Sequence, residues 1–239
     1  MHLVVLRAGD TVPEIAARRG EFAQWIREGV GDAWRGEWLE HDVRTDDALP
    51  SFEGAAGFVI TGSSSSVTER APWMLRTEAL IRTLVARDAP ILGICFGHQL
   101  VAQALGGHVE KNPRGREIGT VRVAREEEDD ALFAALPSPF TVSATHTDAV
   151  TRLPAGARLL ASTPLDANAA FAVGRATRCV QFHPEIDGDV MRSYVRARAH
   201  LIEAEGNDPN AILAGVSDET DGHAILRNFV RNFVAANVV

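Results

Sequence analysis

Cysteine is nearly absent from this 239-residue chain: Cys95 and Cys179 stand far apart and outside any C-x-x-C spacing. That excludes a disulfide framework and a zinc knuckle, and it predicts a reducing compartment. Basic charge is scarce as well. Lys111 is the sole lysine, and 24 Lys and Arg face 32 Asp and Glu, for a net charge of −8. Binding to nucleic acid by phosphate neutralisation needs a basic face, so no nucleic-acid partner is expected. Long apolar runs are also lacking. The opening MHLVVLRAGD breaks at Arg7, short of a signal-peptide core. The longest apolar stretch, Ala89 to Gly107, carries His98, Gln99 and Gln103, which a bilayer core would reject. The expectation is a soluble cytoplasmic protein with no membrane partner. No internal repeat is visible, and no Gly-, Ser- or Pro-rich linker divides the chain.

What is present is an ordinary globular composition, 46% hydrophobic and 23% charged. A chain of this length buries roughly 70–75% of the surface its unfolded form exposes, enough for a core without staples. One domain over residues 1–239 is expected, with C-terminal helices from about residue 187 packed on it.

The first half alternates short apolar runs with amphipathic segments. His2 to Leu6, Trp38 to Val43, Phe58 to Ile60 and Ile91 to Ile94 read as strands. Between them, Phe22, Trp25, Ile26 and Val30 fall at helical spacing, and Pro72 opens a second stripe through Trp73, Leu80, Ile81, Leu84 and Val85. His98 to Leu105 reads as a further helix, ended by Gly106-Gly107. This rhythm predicts an α/β fold: a doubly wound, mixed but mostly parallel central sheet with flanking helices. After Val109 the rhythm changes. Runs at Ile118 to Val123, Phe140 to Ala144, Ala157 to Leu160, Ala169 to Val173 and Cys179 to Phe182 are joined by turns, predicting additional antiparallel strands. The acidic run from Glu126 reads as a solvated helix start whose carboxylates suit the dipole. Two amphipathic stretches, through Val190, Tyr194, Ala197 and Leu201 and through Ile225 to Phe233, are expected to cover the sheet.

Chemistry concentrates at Gly93-Ile94-Cys95-Phe96-Gly97. The pentapeptide follows an apolar strand and precedes a helix, the context of a nucleophile elbow, in which small neighbours let strand and helix approach each other. Cys95 then stands at the carboxyl end of the sheet and at a helix N-terminus, both of which suit a thiolate. Taken alone, the motif fits either a nucleophile or a buried structural cysteine. A second motif, Gln181-Phe182-His183-Pro184-Glu185, supplies a base, with Glu185 two residues on and able to fix the imidazole tautomer. A third, Ile60-Thr61-Gly62-Ser63-Ser64-Ser65, offers backbone N–H groups beside that of Phe96.

These motifs, together with ILGICFGHQLVAQALGG, GREIGTVRV, HTDAV and VQFHPE, resemble the class I glutamine amidotransferases, in particular the glutaminase domain of GMP synthase. The resemblance implies Cys95 as nucleophile, His183 as general base and acid, and Glu185 as its orienting partner. It implies oxyanion donors at Gly62 or Ser63 and at Phe96, a substrate contact at Gln99, and a site rim at His146 and Asp148. The implied reaction is attack on the side-chain amide of glutamine, with a γ-glutamyl thioester intermediate and release of ammonia, and it calls for no metal or cofactor. His98 is expected to pack rather than act as the base, and Cys179 to be a core residue. The sequence departs from the family where Gly62 is followed by serines instead of a second glycine, and where Ala144-Thr145 precedes His146. No P-loop is visible and no room remains for an ATP-binding domain, so the ammonia acceptor is expected to be a separate synthetase. Three readings stay open: a glutaminase serving such a synthetase, a hydrolase of other γ-glutamyl peptides or amides, and a non-catalytic binding or regulatory protein on the same scaffold.

Overall fold

The computed structural model describes residues 1–45, 52–126 and 130–235. Its first part runs β1 (His2–Arg7), α1 (Pro13–Arg19), α2 (Phe22–Val30), β2 (Glu37–Asp42), β3 (Ala55–Ile60), α3 (Pro72–Ala86), β4 (Ile91–Ile94) and α4 (Phe96–Ala104). There follow β5 (His108–Lys111), β6 (Glu117–Arg125), β7 (Phe140–His146), β8 (Asp148–Arg152), β9 (Arg158–Ser162), β10 (Ala170–Val173) and β11 (Thr177–Val180). The chain continues through α5 (Gly188–Ala197), α6 (Ala199–Ala204), α7 (Pro209–Ala214) and α8 (Gly222–Phe229), which passes into a π-helical turn over Val230–Val234. Among the described residues no helix is long and apolar enough to cross a membrane.

Nine strands form one sheet in the order β2-β1-β3-β4-β11-β10-β9-β6-β7. The five from β2 to β11 are parallel and the rest pair antiparallel, while β5 and β8 make a small separate ribbon. This is the expected mixed α/β sheet. Its parallel half is buried on both faces, which is why its strands read as unbroken apolar runs. Side chains alternate between the faces. Leu3, Val5, Val59, Leu92 and Ile94 pack with Ile26, Ile225, Leu226 and Phe229 of α2 and α8. Val4, Leu6, Phe58, Ile60 and Ile91 pack on the other face with Ile81, Phe96 and Leu100 of α3 and α4. Of the two C-terminal stretches, α8 covers the sheet as expected. The α5 stretch packs on β6 and β7 and joins a third cluster, in which Val190, Met191, Tyr194 and Val195 meet Ile15 and Trp25 of α1 and α2.

Two readings need correction. β11 stops at Val180, two residues short of the expected strand end at Phe182; the His183 N–H bonds the carbonyl of Ser143 in an isolated bridge, and Pro184 and Glu185 form a turn. At its described end, Asp130, the acidic run does not open a solvated helix. Residues 127–129 lie outside the described residues, while Asp130 is buried and caps a single 3-10 turn at Ala131–Phe133. The cause lies 48 residues away, where Arg178 points from β11 into the core. Its Nε is 2.9 Å from Asp130 Oδ1, and its guanidinium lies over the Phe233 ring at 4.5 Å. The buried cation requires a buried anion, and Asp130 supplies it.

Removing one partner of such a pair strands the other. Asp130→Ala should lower the unfolding free energy by about 3 kcal/mol or more, read from the urea midpoint. A loss under about 1 kcal/mol would place the pair among ordinary surface contacts.

Candidate active site

Three adjacent parallel strands set up the site. In β3-β4-β11, Ile60 pairs with Gly93, and Ile94 with Val180. The chain therefore leaves all three strands at the same edge of the sheet, carrying Gly62 and Ser63, Cys95, and His183 respectively. The Cys95 N–H extends the ladder by one bond, to Val180 O at 2.9 Å.

Cys95 itself has φ 51° and ψ −100°, outside the ordinary regions for an L-residue. The turn is sharp because α4 lies hard against the sheet. A Cβ on Gly97 would fall 2.4 Å from Ile60 O, and one on Gly93 2.8 Å from Gly97 O, so neither position admits a side chain. The elbow is thus built as the spacing predicts. Its helix presents first-turn N–H groups, Phe96 among them, that have no carbonyl within the helix to reach.

The three polar partners are buried together. His183 Nδ1 lies 2.7 Å from Glu185 Oε1, and because a carboxylate only accepts, Nδ1 carries the proton and Nε2 faces away. The imidazole stacks on Phe22 at 6.0 Å and shares a cavity wall with Cys95. Burial alone would push that thiol up. The charge and hydrogen bond of His183, with help from His146 and against the smaller effect of Glu185, bring it net below the usual thiol range. Burial would likewise lower His183, but Glu185 first and then Cys95 raise it to about 10. A thiolate–imidazolium pair is the state this geometry favours. Cys179, fully buried in apolar surroundings, moves the other way, as a core residue should. His98 is also buried; it packs on Phe171 at 4.8 Å, and burial holds it down to about 3.

The remaining expected residues fall around this pair. Ser63 borders cavities on both sides of Cys95, whereas Gly62 lies against the imidazole, so close that a Cβ there would sit 2.9 Å from His183 Cε1. Phe96 and Gln99 line the cavity on the α4 side. Gln99 Nε2 donates to Asp148 O and Gln181 Oε1, both at 3.0 Å, and Gln181 Nε2 in turn approaches Cys95 Sγ at 3.6 Å. Asp148 lines the same cavity and accepts from Ser66 Oγ, tying the β7–β8 turn to the loop after β3.

His146 is more than a rim residue. Its Nδ1 meets Asp148 O at 2.9 Å and its Nε2 meets Glu117 Oε2 at 3.1 Å. A carbonyl and a carboxylate both accept, so this pair of contacts favours the doubly protonated ring. Burial opposes this, yet Glu117 and Cys95 leave its pKa raised. Glu117 Oε1 takes a further bond from Thr163 Oγ1 at 2.7 Å. Sequence reasoning missed Glu117, Gln181, Thr11, Tyr194 and Arg198 as site residues. Glu117 lies inside GREIGTVRV and Gln181 inside VQFHPE, and Tyr194 falls on an apolar stripe. Among the described residues, no group of three or more His, Cys, Asp or Glu is gathered to hold a metal ion.

The elbow, its histidine and its glutamate thus lie together at one edge of a mixed α/β sheet. The family model for glutamine amidotransferase class-I matches residues 38–200, and the chain belongs to that family. It is 26% identical over 208 residues to a glutamine amidotransferase-like protein of Schizosaccharomyces pombe, covering 82% of this chain and 83% of that one. Against a GMP synthase (glutamine-hydrolyzing) of Porphyromonas gingivalis the identity is 38%, covering 77% of this chain but 33% of the synthase. Against gamma-glutamyl peptidase 4 of Arabidopsis thaliana it is 32%, covering 56% of this chain and 55% of the peptidase. The crystal structure of a glutamine amidotransferase from Thermotoga maritima has the same fold, with a TM-score of 0.77, 23% identity and 98% of each chain covered.

The two cysteines should react differently. Iodoacetamide should label Cys95 alone in the native protein and both cysteines after denaturation. Because the thiol pKa is depressed, native labelling should stay fast at neutral pH and slow only as pH falls through the lowered value. In His183→Gln the inflection should move up to about 8.5 or higher, slowing labelling at pH 7 by about thirtyfold. An unmoved inflection would mean that His183 does not stabilise the thiolate.

Proposed function

We propose that Cys95, His183 and Glu185 act as a catalytic triad that hydrolyses a γ-glutamyl amide through a thioester. The observation that carries the reading is the buried gathering of Cys95, at a strained elbow, with His183 and its hydrogen-bonded Glu185. Cys95 Sγ adds to the side-chain amide carbon, and the oxyanion falls to the N–H groups of Phe96 and of the loop after β3. Of the two loop candidates, Ser63 is the better placed, since it borders both cavities while Gly62 is pressed against His183. His183 protonates the leaving nitrogen and then activates water against the thioester, while Glu185 holds its tautomer. The glutamyl half would lie along Gln99 and the His146–Asp148 turn, where the Asp148 carboxylate suits an α-ammonium group.

With glutamine as substrate the product is ammonia, and a separate ATP-dependent synthetase would consume it. The likeness to a GMP synthase over most of this chain supports that reading. A second reading, hydrolysis of γ-glutamyl peptides or amides without a synthetase, is favoured by the cavity on the His183 side of Cys95, where a leaving group larger than ammonia has room. The third reading, a non-catalytic scaffold, gains no support from a site that keeps a strained thiolate beside its base and acid.

Product glutamate measured from glutamine and from γ-glutamyl amides tests the chemistry. Cys95→Ser should lose at least about a thousandfold in kcat with an unchanged fold by circular dichroism. His183→Ala should lose about a thousandfold and Glu185→Gln about a hundredfold, because the latter disturbs orientation and leaves the base in place. Full turnover in Cys95→Ser, or the reverse ranking of the other two, would refute the triad.

A further inference from the structure

The two cavities that meet at Cys95 are chemically different. His183 lines one of them and not the other. A general acid must come within about 3 Å of the nitrogen it protonates, so under the thioester reading the leaving amine occupies the His183 side. Thr11, Phe22 and Tyr194 are walls of that chamber and not of the other, and Arg198 stands where the two meet, lining both. Ammonia needs none of them.

Charge is what singles out Arg198. The chamber's carboxylate, Asp10, is ion-paired with Arg44 at 2.7 Å and Arg7 at 3.1 Å. Across the site, Arg116 is held in a fork by Glu205 through bonds of 2.8 and 2.9 Å. Arg198, among the described residues, has no carboxylate within ion-pair distance. Its Nη1 donates to Thr145 Oγ1 at 3.0 Å, and its guanidinium lies over the Tyr194 ring at 4.6 Å. A neutral hydroxyl and a ring face hold the group in place without neutralising it. Burial weighs against its charge. A partly buried guanidinium with spare donors and no anion is a prepared site for a carboxylate, whose two oxygens match its planar fork. Tyr194, unlike Arg198, borders only the His183 side, and its hydroxyl is fixed to Thr11 Oγ1, so the ring under the guanidinium belongs to that chamber's wall.

We infer that Arg198 binds a carboxylate on the leaving amine, so that the preferred substrate is a γ-glutamyl amino acid or short γ-glutamyl peptide; this rests on the thioester reading above. In the acylation step the Cys95 thiolate adds to the γ-carbonyl carbon and the C–N bond breaks. The nitrogen takes the proton of His183, and an amino acid leaves with its carboxylate on Arg198. Water then adds to the thioester, its proton passes to His183, and glutamate and the thiolate are released.

The test compares γ-glutamylglycine with γ-glutamyl ethylamide, which lacks the second carboxylate, using the full chain. Wild type should favour γ-glutamylglycine by about 30-fold or more in kcat/KM, mainly through KM, the scale of a charge-assisted hydrogen bond. Arg198→Gln should bring the ratio close to one, and Arg198→Lys should keep part of it. The ratio is internal to each preparation, so loss of folded protein cancels. A wild-type ratio near one overturns the inference. So does a ratio that survives in Arg198→Gln, including the case in which both substrates weaken equally because the arginine serves the glutamyl carboxylate or the fold. If wild type releases glutamate from glutamine and from γ-glutamyl ethylamide without preferring the carboxylate, this inference alone fails. If it releases glutamate from none of these substrates, the thioester reading fails and takes this inference with it.

Discussion

The parallel pairing of β4 with β11 is the constraint on which the site depends. Register Ile94–Val180 places the residue after each strand at one sheet edge, and the bond from Cys95 N–H to Val180 O closes that edge. A thiol and an imidazole 88 positions apart thereby become neighbours with no loop flexibility to average over. On the other flank β3 pairs with β4 and delivers the Gly62-Ser63 turn to the same place. A slip of one residue in either ladder would turn every side chain to the opposite face, and the two apolar clusters that sandwich the sheet forbid it. The geometry of the chemistry is therefore inherited from core packing, and burying a single large aliphatic side chain there is worth about 1.5–3 kcal/mol.

Electrostatics follow from the same placement. A buried thiolate costs solvation energy, and the site offsets this by surrounding sulfur with cations whose own anions lie behind them. Glu185 stands on the far side of the His183 ring, and Glu117 on the far side of His146. Because Coulomb attraction weakens with distance, the sulfur is influenced more by each imidazolium than by the carboxylate a ring's width beyond. This is why Glu185 raises the thiol less than His183 lowers it. The carboxylates perform a second task at no extra cost: each fixes the rotation of its ring.

Sequence legibility tracked the range of the interactions. The parallel strands were readable because double burial removes polar residues from them, and the elbow because steric crowding at Gly93 and Gly97 leaves one admissible residue type. Asp130 was misread because its burial is decided by Arg178, which no local pattern announces. Tyr194 and Arg198 were hidden for a related reason. Their segment, α5 and the residue that caps it, shows an amphipathic stripe, and a stripe indicates which face is buried without indicating what it is buried against. The answer, Thr11 and the wall of a cavity beside Cys95, comes from a segment 183 residues away. His146 was seen but undervalued, since its charge is set by Glu117 across the β6–β7 pairing.

The backbone at Cys95 bears on function more directly than any contact. Arg70 also has positive φ, but with ψ 33° it rests in the left-handed helical well that short turns use. Cys95, at ψ −100°, rests in no such well, and residues in sparsely populated regions cost of order 1–3 kcal/mol. Glycine would relieve that strain, and glycines already stand two residues to either side. A cysteine there adds strain and, at 6% exposure, ionising it adds desolvation as well. Neither cost improves the packing of a scaffold that merely binds. Both are what a poised nucleophile requires, because the turn that strains the backbone is the turn that presents Sγ to the two cavities and to the first N–H groups of α4.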